Sequence, residues 1–259
     1  MDNLLEAHKN ARENKSYYRE VKYVDEHRDE CLEQLHEMLV NHTYRTSEYK
    51  IFERVEHGKN RTIYALPYFP DRVCQWALMQ VIGPCLVNSF TADTYSAIPK
   101  RGIYNYGLDR VKQDMYNDKE GCKFCLKFDI KHYYQSINHT ILKGQYADRI
   151  KDKDVLLLIN EIIDSINTAT EEDLKRLYPN GNPDYETGIP IGNYLSQYSG
   201  NLYLSEFDHW IKEVKHIKYY HRYMDDCVIF GSTKEELHKL LEEIKLTSWV
   251  IEFLITIPY

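Results

Sequence analysis

The stretch KYYHRYMDDCVIFG (Lys218–Gly231) sets two adjacent aspartates, Asp225 and Asp226, between two runs rich in aromatic and β-branched residues. KYYHRY and CVIFG read as two strands and MDD as the tip of the hairpin that joins them. Aspartate is common in turns, so an ordinary polar turn is the plain alternative. A chain of this composition yields Tyr-x-Asp-Asp by chance about 0.1 times, so the tetrapeptide alone decides little. Its surroundings add more. Arg222 is close in sequence, but Tyr223 and Met224 separate it from Asp225, and no Lys or Arg sits at the tip itself. Like charges held side by side raise a pKa unless a cation intervenes. A hard divalent ion such as Mg²⁺ prefers carboxylate oxygens and relieves the repulsion.

Such a site needs a third carboxylate. FCLKFDI (Phe124–Ile130) alternates cleanly, with Phe124, Leu126, Phe128 and Ile130 on one side and Cys125, Lys127 and Asp129 on the other. Asp129 is the only acidic residue in FCLKFDIKHYY. If its strand pairs beside the hairpin, three carboxylates converge in the arrangement that holds two metals for in-line phosphoryl transfer. The alternative is that Asp129 caps the helix that follows.

Around these two stretches the chain alternates helix and strand without a strict βαβ period. DEHRDECLEQLHEMLVNH places Leu32, Leu35, Met38 and Leu39 on one helical stripe. YKIFERVEHGKNRTIYAL reads as two short strands joined by a turn containing Gly58 and Asn60. FPDRVCQWALMQVIGP reads as a helix opened by Pro70 and closed by Pro84. DVLLLINEIIDSI is dense enough in apolar residues for a well-buried helix. NPDYETGIPIGN is a Gly/Pro-rich loop before the helical YLSQYSGNLYLSEFDHWIKEV. TKEELHKLLEEI carries a capping box, Thr233 with Glu236, and an apolar stripe of Leu237, Leu240, Leu241 and Ile244. The order predicts an α+β fold with helices packed on a small antiparallel sheet.

The bulk composition sets limits. Hydrophobic residues make up 43% of the 259 and aromatics 13%, enough for a sizeable core. Tyrosine is over-used, with 23 residues against 8 Phe and 3 Trp; it suits clefts where a ring packs and a hydroxyl meets water or ligand. The net charge of −7 gives no whole-chain support for binding phosphates, so any basic groove must be argued from position. The polar, mixed-charge N-terminus and the lack of a long apolar run point to a cytoplasmic protein with no membrane partner. Cys122 and Cys125 form one C-x-x-C with no second pair at zinc-site spacing, which favours buried free thiols in a reducing compartment.

FDIKHYYQSI, GIPIGNYLSQ and YMDD occur in the order and spacing of reverse transcriptase palm motifs, and GKNRTI and LPYFPDRVCQWAL resemble the fingers of bacterial reverse transcriptases. The resemblance runs from about Tyr44 to Ile244. IPIGNYLSQ is most similar to reverse transcriptases of diversity-generating retroelements; phage-defence and abortive-infection enzymes are close alternatives. The resemblance implies a right-hand fold of fingers and palm: N-terminal helices and fingers over 1–105, a first palm segment over 106–134, a helical insertion over 135–187 and a second palm segment over 188–259.

It also implies an RNA-directed DNA polymerase that extends a DNA or RNA primer on an RNA template with deoxynucleoside triphosphates, using two Mg²⁺ ions or Mn²⁺ in their place. Asp129 and Asp225 become the principal ligands, Asp226 a weaker one, and Ile130 the donor of a backbone carbonyl. Tyr134 takes the position of an aromatic gate against the 2′-hydroxyl; a core tyrosine is the alternative. Lys59 and Arg61 would meet the triphosphate. Gly188 and Gly192 would let backbone approach a base or primer, and Ser196 and Gln197 would face the base. Arg72 would touch template phosphate or pair with Asp71, and Tyr223 and Met224 would line the primer. A small basic accessory protein usually accompanies the retroelement enzymes. After Lys245 the tail LTSWVIEFLITIPY carries no lysine and no helical thumb, so the expectation is a truncated chain with an apolar strand left uncovered. A non-catalytic nucleic-acid-binding remnant is the alternative that this tail motivates.

Overall fold

The alternation in FCLKFDI is realised at the centre of a four-stranded sheet. The structure, a computed structural model, describes residues 1–56, 58–181, 186–246 and 253–254. The chain opens with α1 (Asp2–Ala11), α2 (Arg19–Glu26) and α3 (Arg28–Val40), then the hairpin β1 (Lys50–Glu56) and β2 (Lys59–Ala65). A widened helical turn, Tyr68–Arg72, leads into α4 (Val73–Ser89), and a second, Ile103–Gly107, into α5 (Leu108–Asn117). There follow β3 (Phe124–Ile130), α6 (Tyr133–Ser136), α7 (His139–Arg149), α8 (Lys153–Asp164) and α9 (Glu171–Leu177). The last part holds α10 (Tyr194–Tyr203), α11 (Ser205–His209), β4 (Tyr220–Tyr223), β5 (Asp226–Gly231), α12 (Lys234–Leu246) and the short β6 (Phe253–Leu254).

Two compact units emerge. One comprises Met1–Asn88, Asn138–Thr168 and Gly188–Ser199; the other comprises Ser89–Ile137, Ala169–Thr187 and Gly200–Tyr259. The expected segments 1–105, 135–187 and 188–259 each contribute residues to both units. Residues after Ser89 join the second unit because Tyr95 N–H donates to Arg222 O and Arg222 N–H to Asp93 O, which ties this stretch to β4. The expected insertion is divided, because α9 serves the second unit: Asp173 binds His132, and Arg176 binds Ser136 and the Lys131 carbonyl.

In the first unit α7 packs on α8 and β1 pairs with β2 from Lys50↔Ala65 to Glu56↔Lys59. Asn60 therefore lies within β2, opposite Val55, and only the residues around Gly58 turn the chain. Pro84 does not close α4, which continues to Ser89. A mid-helix proline costs a hydrogen bond, but burial of Ile82 and Leu86 on either side holds the helix together. α8 is N-capped by the Asp152 carboxylate and buries Ile159, Ile162 and Ile163.

The second unit holds the antiparallel sheet in the order β4-β5-β3-β6. Its register puts Leu126, Phe128, Tyr220, Arg222, Cys227 and Ile229 on one face, and all of them are buried. Phe207 of α11 meets Phe128 and Tyr220 edge-on across this face. Each such fully buried apolar side chain contributes about 1.5–3 kcal/mol. The opposite face carries Cys125, Lys127 and Asp129, exposed or half-buried. Cys125 and Cys85 are thus exposed thiols, contrary to the expected buried set, while Cys122 is buried; the described cysteines are all free. The Thr233 hydroxyl caps α12 by accepting from the Glu236 N–H, and the Glu236 carboxylate reaches back to both Ser232 and Thr233. Leu237, Leu240, Leu241 and Ile244 are buried as their spacing predicts.

Arg222 is the exception on the apolar face: it is fully buried, as is its partner Asp208 of α11. Its Nε and Nη2 grip the two Asp208 oxygens at 2.7 and 2.6 Å. Tyr220 and Thr94 hydroxyls donate to the same carboxylate at 2.5 and 2.9 Å. Burial alone would depress the guanidinium's pKa, but the charge and hydrogen bonds of Asp208 raise it above its ordinary value. Removing one member of such a pair strands a buried charge. Arg222→Met is expected to cost about 3–5 kcal/mol in urea unfolding, and adding Asp208→Leu to recover most of that loss.

Candidate active site

Antiparallel pairing of β3 with β5 runs from Phe124↔Gly231 to Phe128↔Cys227. Asp129 follows Phe128 and Asp226 precedes Cys227, so both lie just beyond the last pair of this ladder, beside the turn that carries Asp225. The carboxyls of Asp129 and Asp225 lie within hydrogen-bonding reach of each other. Burial, then the charges of Asp129 and Asp226, push the Asp225 carboxyl up to about 6. Asp226 differs: its Oδ1 lies 3.4 Å from Lys127 Nζ, and both groups are half-exposed. A cation does therefore reach the second aspartate, from the neighbouring strand, which inspection of the turn alone missed. Asp129 does not cap the next helix, whose N-cap residue is His132.

The turn itself is held from behind. Met224 has φ 55°, a left-handed conformation unusual for a residue with a side chain. Arg222 Nη1 donates to the Met224 carbonyl at 2.8 Å, so the buried ion pair also fixes the backbone that aims Asp225. The sequence signal for this was available: Arg222 shares the two-residue period of Tyr220 on an apolar face, and a charge there demands a buried partner. Tyr134 is half-buried, with its hydroxyl 3.8 Å from Met224 Sδ. A Cβ at Gly200 would come within 3.5 Å of the Tyr134 oxygen. The adjacent Tyr133 hydroxyl donates to the Gly200 carbonyl at 2.5 Å. Ile130 ends β3 with its side chain buried, and Tyr223 is 41% exposed beside Asp226. Between Ile130 and Tyr134 the chain turns through His132 at φ 50°, whose Nδ1 lies 2.6 Å from buried Asp173.

The remaining expected residues belong to the first unit. Lys59 and Arg61 both lie on β2. Arg61 is exposed and stands across from Arg54 in the hairpin register. Arg72 does not pair with Asp71. Its Nε donates to the Ala11 carbonyl, while buried Asp71 accepts from the Tyr44 hydroxyl and Ser47 N–H.

Gly188 and Gly192 have φ of 96° and 120°, conformations that favour glycine. A Cβ at Gly192 would sit 3.2 Å from the Tyr64 carbonyl oxygen, and Ile191 O accepts from Tyr64 N–H. The protein's own backbone therefore already requires glycine at 192, apart from any base or primer. Gln75 Oε1 caps the next helix, accepting from Tyr194 and Leu195 N–H. Within α10, Ser196 is 5% exposed and Gln197 is open to solvent.

The helices and antiparallel sheet lie within the stretch that a family comparison recognises. Residues 29–255 match the family model described as reverse transcriptase (RNA-dependent DNA polymerase), and the chain belongs to that family. Protein YkfC of Escherichia coli (strain K12) is 22% identical over 68% of this chain and 44% of its own length. Among solved structures, apo telomerase from Candida tropicalis truncated from its C-terminal domain superposes with a TM-score of 0.53 at 15% identity, covering 82% of this chain and 50% of that one. Telomerase from Candida albicans, in complex with a TWJ fragment of telomeric RNA, gives 0.54 at 13% identity over 86% of this chain and 47% of that one. These likenesses are of fold. The chain spans less than half the length of the curated relative it matches. Among the described residues, no helix is long and apolar enough to cross a membrane.

The raised Asp225 pKa has a measurable consequence. A carboxyl whose folded-state pKa is raised destabilises the fold once it ionises, so the penalty is present above about pH 6 and vanishes toward about pH 4. In EDTA, Asp225→Asn is expected to raise the melting temperature at about pH 7.5, to keep about half of that advantage at about pH 5 and to lose the rest toward about pH 4. Adding Mg²⁺ at the higher pH should stabilise the parent and leave the variant nearly unmoved.

Proposed function

We propose that this chain is the catalytic part of an RNA-directed DNA polymerase that joins deoxynucleotides to a primer 3′ end. The observation that carries this reading is the meeting of Asp129 and Asp225 at one end of the sheet, with Asp226 adjacent. The donor set fits hard divalent ions: it is all carboxylate oxygen, and the mutual repulsion that raises Asp225 is what a divalent ion relieves. Asp129, Asp225 and the Ile130 carbonyl would hold two Mg²⁺ or Mn²⁺ ions, with Asp226, already engaged by Lys127, contributing less. Bound there, such ions lower the pKa of an attacking hydroxyl and offset charge on the leaving pyrophosphate.

The chain's own residues do the rest. Arg222 keeps the Met224–Asp225 backbone in place while nucleotides come and go. The Tyr134 ring, packed near Met224 and Gly200, would exclude a 2′-hydroxyl. Lys59 and Arg61 would neutralise the incoming triphosphate. Gly192, Ser196 and Gln197 would shape the nucleotide site, and Arg72, Gly188, Tyr223 and Met224 the template and primer path. In this reading the unit that holds the four-stranded sheet is the palm and the hairpin unit contains the fingers. GNYLSQ (Gly192–Gln197) favours a diversity-generating retroelement enzyme, acting in the cytoplasm with a small basic protein as partner.

Primer extension on an RNA template tests the proposal. Asp129→Asn and Asp225→Asn should each lower the rate at least about a hundredfold, since each removes a ligand charge that offsets transition-state charge; extension at the parental rate would refute the assignment. Tyr134→Ala should admit ribonucleotides, seen as a rise in ribonucleotide relative to deoxynucleotide incorporation. Unchanged sugar selectivity would remove the gate role.

A further inference from the structure

At the acidic turn the carboxylates of Asp129, Asp225 and Asp226 are met by one ammonium, that of Lys127. Lys127 lies two residues before Asp129 on β3 and stands across from Val228 of β5. Its Nζ is not left beside that apolar partner. It lies 3.4 Å from Oδ1 of Asp226, two residues away along β5. Among the described residues this is the only ion pair at the cluster: no lysine, arginine or histidine stands within ion-pair distance of the Asp129 or Asp225 carboxylate. The guanidinium of Arg222, close by in sequence, is engaged by Asp208 on the inner face of the sheet.

Stability does not account for the pair. Its side chains are 51% and 50% exposed, and an ion pair so open to water contributes little to folding. Its effect on the cluster is selective. Repulsion between Asp129 and Asp225 is left unrelieved, whereas the charge of Asp226 is answered from within the protein. Mg²⁺ is commonly held by one or two carboxylates together with substrate phosphates. A third carboxylate would take a position that a phosphate oxygen needs. A carboxylate that already faces an ammonium is a poor donor to a divalent ion, and the ammonium repels that ion as well.

We propose that Lys127 is a built-in counter-ion that withholds Asp226 from metal binding. Asp129 and Asp225 are then the carboxylates left to hold divalent ions, and the free protein's affinity for those ions stays low until a phosphate substrate adds its own oxygens. The inference rests on the proposed function in treating the three aspartates as the metal site. Lys127 touches no reacting atom in this reading and acts only through Asp226. Its effect is on ion binding alone, measured without primer, template or nucleotide, so the two readings can fail separately.

The test is a Mn²⁺ titration of the whole chain, with free Mn²⁺ followed by its electron paramagnetic resonance signal. Lys127→Met, which removes the charge and keeps most of the side chain's length, should tighten Mn²⁺ binding about tenfold or more. Lys127→Arg should bind as the parent does, because the charge is kept. In an Asp226→Asn background, Lys127→Met should change the affinity by less than about twofold, since the carboxylate it would release is gone. Circular dichroism melts identify a variant that fails to fold, and Lys127→Gln then takes the place of Lys127→Met. Parental affinity in Lys127→Met would overturn the proposal, whether or not its KM for deoxynucleoside triphosphates rises; a raised KM would make Lys127 a phosphate contact instead. So would equal tightening with and without the Asp226 carboxylate, which would make Lys127 a general source of positive field. If the parent never extends a primer yet the Mn²⁺ affinities follow the expected pattern, the polymerase reading fails and the counter-ion stands. If Asp225→Asn abolishes extension while Lys127→Met leaves Mn²⁺ binding unchanged, the polymerase reading stands and the counter-ion fails.

Discussion

A buried guanidinium organises the unit that holds the four-stranded sheet. Arg222 points into the apolar face of the sheet, where a lone charge would be untenable, and the fold answers with Asp208, Tyr220 and Thr94 around one carboxylate. The consequences spread from there. α11 must sit where Asp208 can be gripped from both oxygens. The stretch through Thr94 must run along β4, and the backbone bonds of Asp93 and Tyr95 to Arg222 put it there. α10 contributes Asn201, whose backbone and side-chain oxygens accept from the same guanidinium. Its last donor goes to the Met224 carbonyl, at the turn carrying Asp225. One salt bridge thus ties two helices, a sheet edge and the acidic turn into a single unit.

Such a pair is weak as a source of net stability, since desolvating both ions costs about as much as their attraction returns. Its value lies in geometry. Asp225 faces Asp129 with its acidity suppressed by burial and by its neighbours, an arrangement that would relax apart if the backbone could move. The rigid anchor on the inner face allows the strained cluster on the outer face to persist. The loop beyond β3 is restrained in a similar way: His132 and the Lys131 carbonyl are held by Asp173 and Arg176 of α9. Asp173, despite burial, is kept below the ordinary carboxylate range by its bonds to His132 and Thr170.

Much of this was legible in the sequence because it follows from short-range periodicity. The alternation in FCLKFDI forecast which side of β3 is buried, and the stripe of TKEELHKLLEEI forecast the inner face of α12. Sequence reading went astray where a distant partner outweighed a local rule. Pro84 sits inside α4 because flanking apolar side chains are buried. Arg72 bonds Ala11, sixty-one residues away, rather than the adjacent Asp71. Lys127 reaches Asp226 only because β3 and β5 are neighbours. The tail around Phe253 and Leu254, expected to be an uncovered apolar strand, places those two residues beside Ile130 and Asp129 as β6; its other residues lie outside the described ones.

The sequence by itself determined the α+β class, the faces of β3 and the stripe of α12, because each depends on residue type and on spacing along the chain. Only the tertiary structure decided that Asp129 lies beside Asp225 and that Arg222 belongs to Asp208. Those facts depend on which strands are neighbours and on the depth at which a charge is buried. No local pattern encodes either, because the free energy of a charge is set by whatever the rest of the chain brings beside it.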